Sequence, residues 1–461
     1  MAGIGFELKR VLQRGGLIRF LGVSLAGTAI VAGPWLLSVL GIFLIQRYAG
    51  RVLTEAPTLF SAAIVYCYAF SLIIASGLHY VFTRQISDLI YEDKNREAGS
   101  ALLSFLISTI AASAAIAAAG ILPLRLEGTI AQPLLFRVSL GVLFVAINAS
   151  WVLMCFISLL KSYTGILLVY VGGSLISFLG VLLLGGMYET AGALLGYTLG
   201  QCFAVIVLYA MTLGRFRPAG VSLKGLFVYF GRYRFLFLAG LLYSWATWAD
   251  KIVFWFAFGK RIGGTWLRVF DRYDVPMFFA ILTLIPSLIY FTIETETAFY
   301  PRLREFLRCI GAEPWDRIQE KKGAMIRSLG VGLREQSILQ AIVSATLILL
   351  APYLGRALFG EGVDIAALRT TLAAVYFHSL FLSLMIFLFY LELYSRAFVS
   401  TLAFFAVNLA ASAGTVLLGS TELLGGSYLL GGVGGCIVAG VFLSRSIRRI
   451  DRTLFIRAAG A

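Results

Sequence analysis

Thr164-Gly-Ile-Leu-Leu-Val-Tyr-Val-Gly-Gly-Ser-Leu-Ile-Ser-Phe-Leu-Gly-Val-Leu-Leu-Leu-Gly-Gly-Met187 is a run of 24 residues without one charged side chain. At a helical rise of 1.5 Å per residue it reaches about 36 Å, enough to cross a hydrocarbon core of ~30 Å. Tyr188 and Glu189 interrupt it, and a second apolar run, 190–213, begins at once. In lipid every backbone polar group has to be satisfied internally, so two such runs read as helix, reversal, helix. The same pattern extends in both directions. It predicts spans at 18–45, 58–82, 98–120, 135–160, 164–187, 190–213, 235–259, 275–300, 336–358, 366–391, 397–419 and 424–444. The expected fold is therefore an all-α integral membrane protein of twelve transmembrane helices.

Composition agrees. Of 461 residues, 60% are hydrophobic and 13% charged, about half the charged share of a soluble domain. Twelve spans leave no stretch for a separate soluble domain, which excludes soluble catalysis, and the chain is not read as an enzyme. The net charge of +15 is spread between apolar runs, where it meets lipid headgroups rather than nucleic acid. With the N-terminus inside, 27 of the 38 Lys and Arg residues fall on the cytoplasmic side and 10 on the other, and Lys251 falls within a span. The positive-inside rule then places both termini in the cytoplasm. The five cysteines (67, 155, 202, 309 and 436) show no CxxC spacing and read as small apolar residues. No signal-peptide cleavage site precedes the first span.

Residues 1–17 carry Ile4, Leu8, Val11 and Leu12 on one stripe, with Lys9, Arg10 and Arg14 off it. This fits an amphipathic helix in the cytoplasmic headgroup region. A basic connector, 214–234, separates two six-helix halves, 18–213 and 235–461. The second half includes a long polar cytoplasmic loop, 301–335, with eight basic and five acidic residues, open to a partner, to anionic lipid, or to solvent alone. A weak internal echo at a shift of 217 residues lays the first span on the seventh. If the halves are repeats, substrate sits between them near midplane.

Charged side chains within spans cost about 2.5–3.5 kcal/mol each at a helix centre on insertion scales, so they mark function or pairing. The seventh span holds Asp250 and Lys251 in Tyr243-Ser-Trp-Ala-Thr-Trp-Ala-Asp-Lys-Ile-Val-Phe-Trp255. At 100° per residue, Ser244, Trp248, Lys251 and Trp255 share one face, and Asp250 shares another with Tyr243 and Phe254. Aromatic rings beside charge suit a sugar, whose apolar face stacks while its hydroxyls bond. Pairing of Asp250 and Lys251 with neighbouring helices, the tryptophans marking the outer interface, fits the sequence equally well. Glu294 and Glu296 in the eighth span point to nearly opposite faces and are not a paired acid–base device. Asp274 lies at the outer mouth. Gly33-Pro34 and Pro286 are candidate kinks or hinges. Gly192, Gly196 and Gly200 form a small-xxx-small ladder, and Gly431, Gly432, Gly434 and Gly435 do likewise. No GxxxxGK[ST] or HExxH occurs. His79 and His378 stand alone in spans and read as hydrogen-bonded packing residues, so no metal or cofactor is expected.

Several motifs stand in register over the whole chain: Gly3-Ile-Gly-Phe-Glu-Leu-Lys-Arg10, Gly33-Pro-Trp35-Leu-Leu37, Trp248-Ala-Asp-Lys251 with Phe254-Trp255, Tyr273-Asp274-x-Pro276-x-Phe-Phe279 and Ile293-Glu-Thr-x-x-Phe299. Together they resemble the PelG family, the inner-membrane transporter of Pel exopolysaccharide. The resemblance implies a member of the multidrug/oligosaccharidyl-lipid/polysaccharide (MOP) exporter superfamily, with a MATE-like fold of two six-helix bundles around a central cavity. It implies transport of a nascent N-acetylgalactosamine-rich polymer. The implied partners are a cytosolic glycosyltransferase and two further membrane proteins, one a cyclic-di-GMP receptor. It carries over no catalytic residues. The expected substrate-pathway residues are Trp35, Tyr243, Trp248, Asp250, Lys251, Trp255, Asp274, Glu294 and Glu296. One departure is visible: Ile293-Glu-Thr-Glu-Thr-Ala-Phe299 is longer than the family pattern. The alternatives are a lipid-linked oligosaccharide flippase, a cation-coupled exporter, an integral-membrane glycosyltransferase, and a non-transporting scaffold of the synthase. The outer loops are too short for the glycosyltransferase.

Overall fold

The computed structural model describes residues 53, 55–159, 163–213, 220–221, 223–310, 312–359 and 363–451. The expected N-terminal helix and first span, with Gly33, Pro34 and Trp35, lie outside the described residues. Almost everything described is helical. The helices are α1 (Pro57–Tyr91), α2 (Asn95–Ile121), α3 (Pro133–Leu159), α4 (Tyr163–Leu213), α5 (Leu223–Arg232) and α6 (Arg234–Phe258). After a two-stranded antiparallel hairpin, β1 (Lys260–Arg261) with β2 (Arg268–Val269), come α7 (Asp271–Leu282) and α8 (Ile285–Glu294). A π turn (Thr295–Phe299), α9 (Tyr300–Cys309), α10 (Trp315–Phe359), α11 (Ile365–Tyr390), α12 (Tyr394–Leu417) and α13 (Gly426–Arg448) complete the chain. Among the described residues, nine helical segments are long and apolar enough to cross a membrane. The expected spans 164–187 and 190–213 count there as one segment, and the charge-bearing α6 is not among the nine.

The chain divides into two compact units. The first holds the described residues of 32–248 and 254–270, and the second those of 249–253 and 271–451. Helix α6 is therefore shared: five of its residues, Ala249–Val253, cluster with the second unit, and the rest with the first.

Helix α4 decides the packing of the first unit. Tyr188 and Glu189 leave helical geometry, Glu189 at a left-handed φ of 50°, and the chain reverses there. The hydroxyl of Thr190 donates to the Glu55 carbonyl, and the Glu189 carboxylate accepts from the Glu55 amide at 3.4 Å. The two limbs of α4 then run antiparallel in direct backbone contact. A Cβ on Gly196 would collide with the backbone of Gly180, and one on Gly200 with Gly173 and Ser177. The Ser177 hydroxyl closes this seam by donating to the Tyr197 carbonyl at 3.0 Å. Dispersion over such close backbones replaces the hydrophobic drive that lipid removes. Beyond the seam, Phe82 stacks on Phe105 at 4.5 Å, within a core with Ile86, Leu153, Phe156 and Leu208.

In the second unit α7 breaks at Thr283 and Leu284, and Pro286 stands in the first turn of α8, where its missing N–H is not needed. Helix α8 passes into the π turn, then into α9. An i→i+5 turn takes up an added residue without breaking a helix, and here it spans Thr295–Phe299. The expected polar loop 301–335 is itself helical, formed by α9 and the early turns of α10. Further along, Gln336, Gln340 and Ser344 lie one turn apart on α10 and are buried. Ser287 of α8 donates to the Gln340 side chain at 2.6 Å and lies 3.1 Å from Ser379 of α11. The Gln336 amide donates to Ser379. Apolar spans hold together here through amides and hydroxyls.

The glycine seam generates a prediction. Gly196→Ala will destabilise the protein by about 1–3 kcal/mol, because backbone and not a pliable side chain occupies the space. Gly186→Ala, with nothing within 4 Å of its Cβ position, will change stability by less than about 0.5 kcal/mol. Thermal unfolding in detergent distinguishes the two.

Candidate functional site

Asp250 and Lys251 are neighbours in sequence, so their Cβ atoms point about 100° apart on α6. Lysine's four-carbon stem bends its ammonium back, placing Nζ 3.4 Å from both Asp250 carboxylate oxygens. Neither residue reaches solvent: Asp250 is 0% exposed and Lys251 5%. The second unit surrounds them. Tyr273 of α7 donates its hydroxyl to Asp250 Oδ2, and Asn408 of α12 lies with its Nδ2 3.4 Å from Oδ1. Ser412, one turn along α12, donates to the Asn408 side-chain oxygen at 3.4 Å. The carboxylate thus meets one cation and two neutral donors.

The ammonium is held by ring faces as well as by charge. Nζ lies 4.6 Å from the Tyr428 ring centroid and 5.9 Å from that of Tyr273. Cation–π attraction of this kind strengthens when water is excluded. Tyr428, from α13, shares a hydrogen bond of 2.9 Å with His378 Nδ1 of α11, and the two rings meet edge to face. Asp274, one residue beyond Tyr273 in the first turn of α7, is half-buried. Glycine lets the helices come this close. A Cβ on Gly431 would fall 2.8 Å from Asn408 and Phe404, and one on Gly432 3.1 Å from Phe377. The glycines of α13 thereby set Tyr428 beside Lys251, and α7, α11, α12 and α13 converge on two adjacent charges of α6.

Such a centre can exist only as a whole. Removing one partner of a buried ion pair costs about 3–5 kcal/mol, because the other charge is left unpaired. Anything that loosens the pair must replace its partners with equivalent polar groups, such as hydroxyls, water or an ion.

The remaining expected residues are placed elsewhere. Trp248 and Trp255 pack in the first unit, 6.0 Å apart. Trp255 stacks on Tyr66 of α1 at 4.6 Å, and Trp266 meets the edge of the same Tyr66 at 5.4 Å. The Tyr66 hydroxyl bonds the backbone of Arg268 in β2, and the Trp266 indole donates to the Gly120 carbonyl at 3.0 Å. This is an aromatic column tied to the β-hairpin. Tyr243 is half-buried in the first unit. Glu294 is half-buried at the end of α8, its Cγ 3.4 Å from the Cβ position of Gly332 on α10, and Glu296 is buried in the π turn. Neither is placed with Asp250. Sequence reasoning did not single out Tyr428, Asn408 or Ser412 for the site. It read His378 only as a packing residue and Tyr273 only as part of a motif. Polar residues inside three different spans were the available signal, but nothing in the chain announced their convergence.

The comparisons follow this geometry. The family model described as "PelG: Putative exopolysaccharide Exporter (EPS-E)" matches residues 1–455. No curated protein matches the chain. Among solved structures, an outward-facing multidrug-resistance MATE-family transporter of the MOP superfamily superposes with a TM-score of 0.60. It is 12% identical and covers 98% of this chain and 100% of its own. A MOP-superfamily transporter from Pyrococcus furiosus gives 0.55 at 13% identity, covering 92% and 96%. The lipid II flippase MurJ, in an inward closed conformation, gives 0.58 at 11% identity, covering 94% and 91%. These likenesses show a MATE-like fold. The chain is a multi-pass membrane transport protein, and it belongs to the PelG family of exopolysaccharide exporters.

Proposed function

We propose that this chain moves a nascent, Pel-like, N-acetylgalactosamine-rich polysaccharide across the bacterial inner membrane, with both termini cytoplasmic and no reaction of its own. The observation that carries the reading is the buried Asp250–Lys251 centre, set within a chain of an exporter family. A buried pair bonded by tyrosine and asparagine side chains is one whose partners sugar hydroxyls or a cation can replace in kind. The tryptophans and Tyr66 supply ring faces of the type that stack on sugars. Twelve spans follow from counting the two limbs of α4 separately and adding α6 and 18–45. The hinge candidates in this reading are Gly33-Pro34 and Pro286, with the π turn that follows α8. The implied partners are a cytosolic glycosyltransferase and two membrane proteins of a synthase, one binding cyclic-di-GMP. The driving force is the transmembrane potential, an ion gradient, or polymer growth from the cytoplasmic side.

A second reading, a flippase for a lipid-linked saccharide, is favoured by the fold likeness to the lipid II flippase MurJ. The two differ in whether the substrate leaves the membrane attached to lipid.

The test is where amino-sugar polymer is found in cells lacking this chain, with its neighbours intact and synthesis induced. Polymer retained inside with none outside is expected. No polymer in either compartment would indicate a scaffold, and normal polymer outside would contradict the substrate. Asp250→Asn, which leaves Lys251 unneutralised, is expected to lower export at least tenfold per molecule that reaches the membrane. Trp248→Ala is expected to lower export by a smaller factor. Wild-type export by both variants would remove these residues from the pathway.

A further inference from the structure

Helix α10 is 45 residues long, about 67 Å at helical rise. A bilayer core accommodates about 20 of those residues. Apolar side chains exposed as lipid-facing residues are, Val331, Ile338, Ile342, Leu349, Tyr353 and Leu358, begin at Val331. The turns from Trp315 to Gly330 therefore project about 24 Å beyond the hydrocarbon. They do not stand alone. Helix α9 lies along them, with Leu303, Phe306, Ile318 and Met325 buried, and Lys321 Nζ meets Glu305 at 3.1 Å. Lys322 binds Asp451 at 2.8 Å and the Arg448 carbonyl at 3.0 Å, tying the end of α13 to the same hairpin. Gln319 adds a third bond, to Asp451 at 3.0 Å. The result is a braced arm.

The outer face of α9 presents Arg304, Leu307 and Arg308, all exposed, and Trp315 stands at the tip of the hairpin, 56% exposed. Among the described residues these two arginines make no ion pair or hydrogen bond. The single acid of α9, Glu305, is engaged by Lys321. The exposed acids Glu313, in the turn, and Asp316 and Glu320, on α10, lie off α9, so the α9 face is the basic one. An exposed tryptophan beside unpaired arginines is the composition of a binding hot spot.

We propose that this face is a docking surface for an acidic surface of a cytosolic protein. The proposal rests on the cytoplasmic placement given above. Lipid headgroups do not fit: Leu307, Arg308 and Trp315 stand about 20–24 Å from the hydrocarbon edge by helix length, more than two Debye lengths of ~8 Å. A second copy of this chain does not fit either, because a two-fold contact would set the same arginines against one another. Acidic protein surface satisfies both the arginines and, through its apolar groups, Trp315 and Leu307.

The test places a photoreactive benzophenone amino acid at Leu307 of the full-length chain, in cells expressing the intact synthesis system. One protein adduct is expected, its contact site mapped by mass spectrometry to an Asp/Glu-rich surface. Arg304→Glu with Arg308→Glu is expected to reduce the adduct at least tenfold, and reversing the mapped acids to lysine is expected to restore it. Adducts to lipid or nucleic acid alone, no adduct, or a protein adduct indifferent to both reversals would overturn the proposal. Asp250→Asn should keep the adduct while losing export. If the adduct persists but cells lacking the chain export polymer normally, the transport reading fails and the docking surface stands.

Discussion

Two opposite charges, adjacent in sequence and sealed from solvent, set the terms for the second unit. Each would be costly in a membrane interior on its own. Together they are tolerated only because a tyrosine, an asparagine and two ring faces reach them from α7, α12 and α13. That requirement explains features that otherwise look unrelated. The glycines of α13 bring Tyr428 and its helix close, Asn408 is fixed by Ser412, and His378 holds the Tyr428 hydroxyl. A single helix supplies both charges, and those same five residues are the part of α6 that clusters with the second unit.

The first unit rests on a different constraint. Its tightest feature is the backbone-to-backbone seam between the limbs of α4, which only glycine and serine permit. Its aromatic column, Trp248, Trp255, Tyr66 and Trp266, is held at the hairpin end by bonds to Arg268 and Gly120. One unit is thus organised around buried charge and the other around close backbone approach and stacked rings. In lipid both are substitutes for the hydrophobic drive that folds soluble proteins.

The helices were legible because apolar length is a direct consequence of bilayer thickness. The spans expected from 58 onward coincide closely with helices, including the reversal at Tyr188-Glu189, where a two-residue polar step stood between apolar runs. The glycine ladder was legible because its i, i+4 spacing fixes one face. The π turn at Thr295–Phe299 was not legible. Composition hid α6 from a hydropathy criterion for the same reason it drew notice as a site: Asp250, Lys251 and its tryptophans. The partners of the pair were not legible. Helical periodicity says which residues share a face, and Trp248 and Lys251 do share one by that rule. It does not say which neighbouring helix each part of that face meets, and Tyr273, Asn408 and Tyr428 come from three helices distant in sequence.

A double-mutant cycle on Asp250→Asn and Lys251→Met, read by thermal unfolding of the purified protein in lipid nanodiscs, tests most directly whether the two charges sustain each other. Each single variant should lose about 3–5 kcal/mol. The double variant should recover part of that loss, with a coupling energy of about 1–3 kcal/mol. Strictly additive losses, or single variants as stable as the parent, would mean that the pair is not what holds the second unit together.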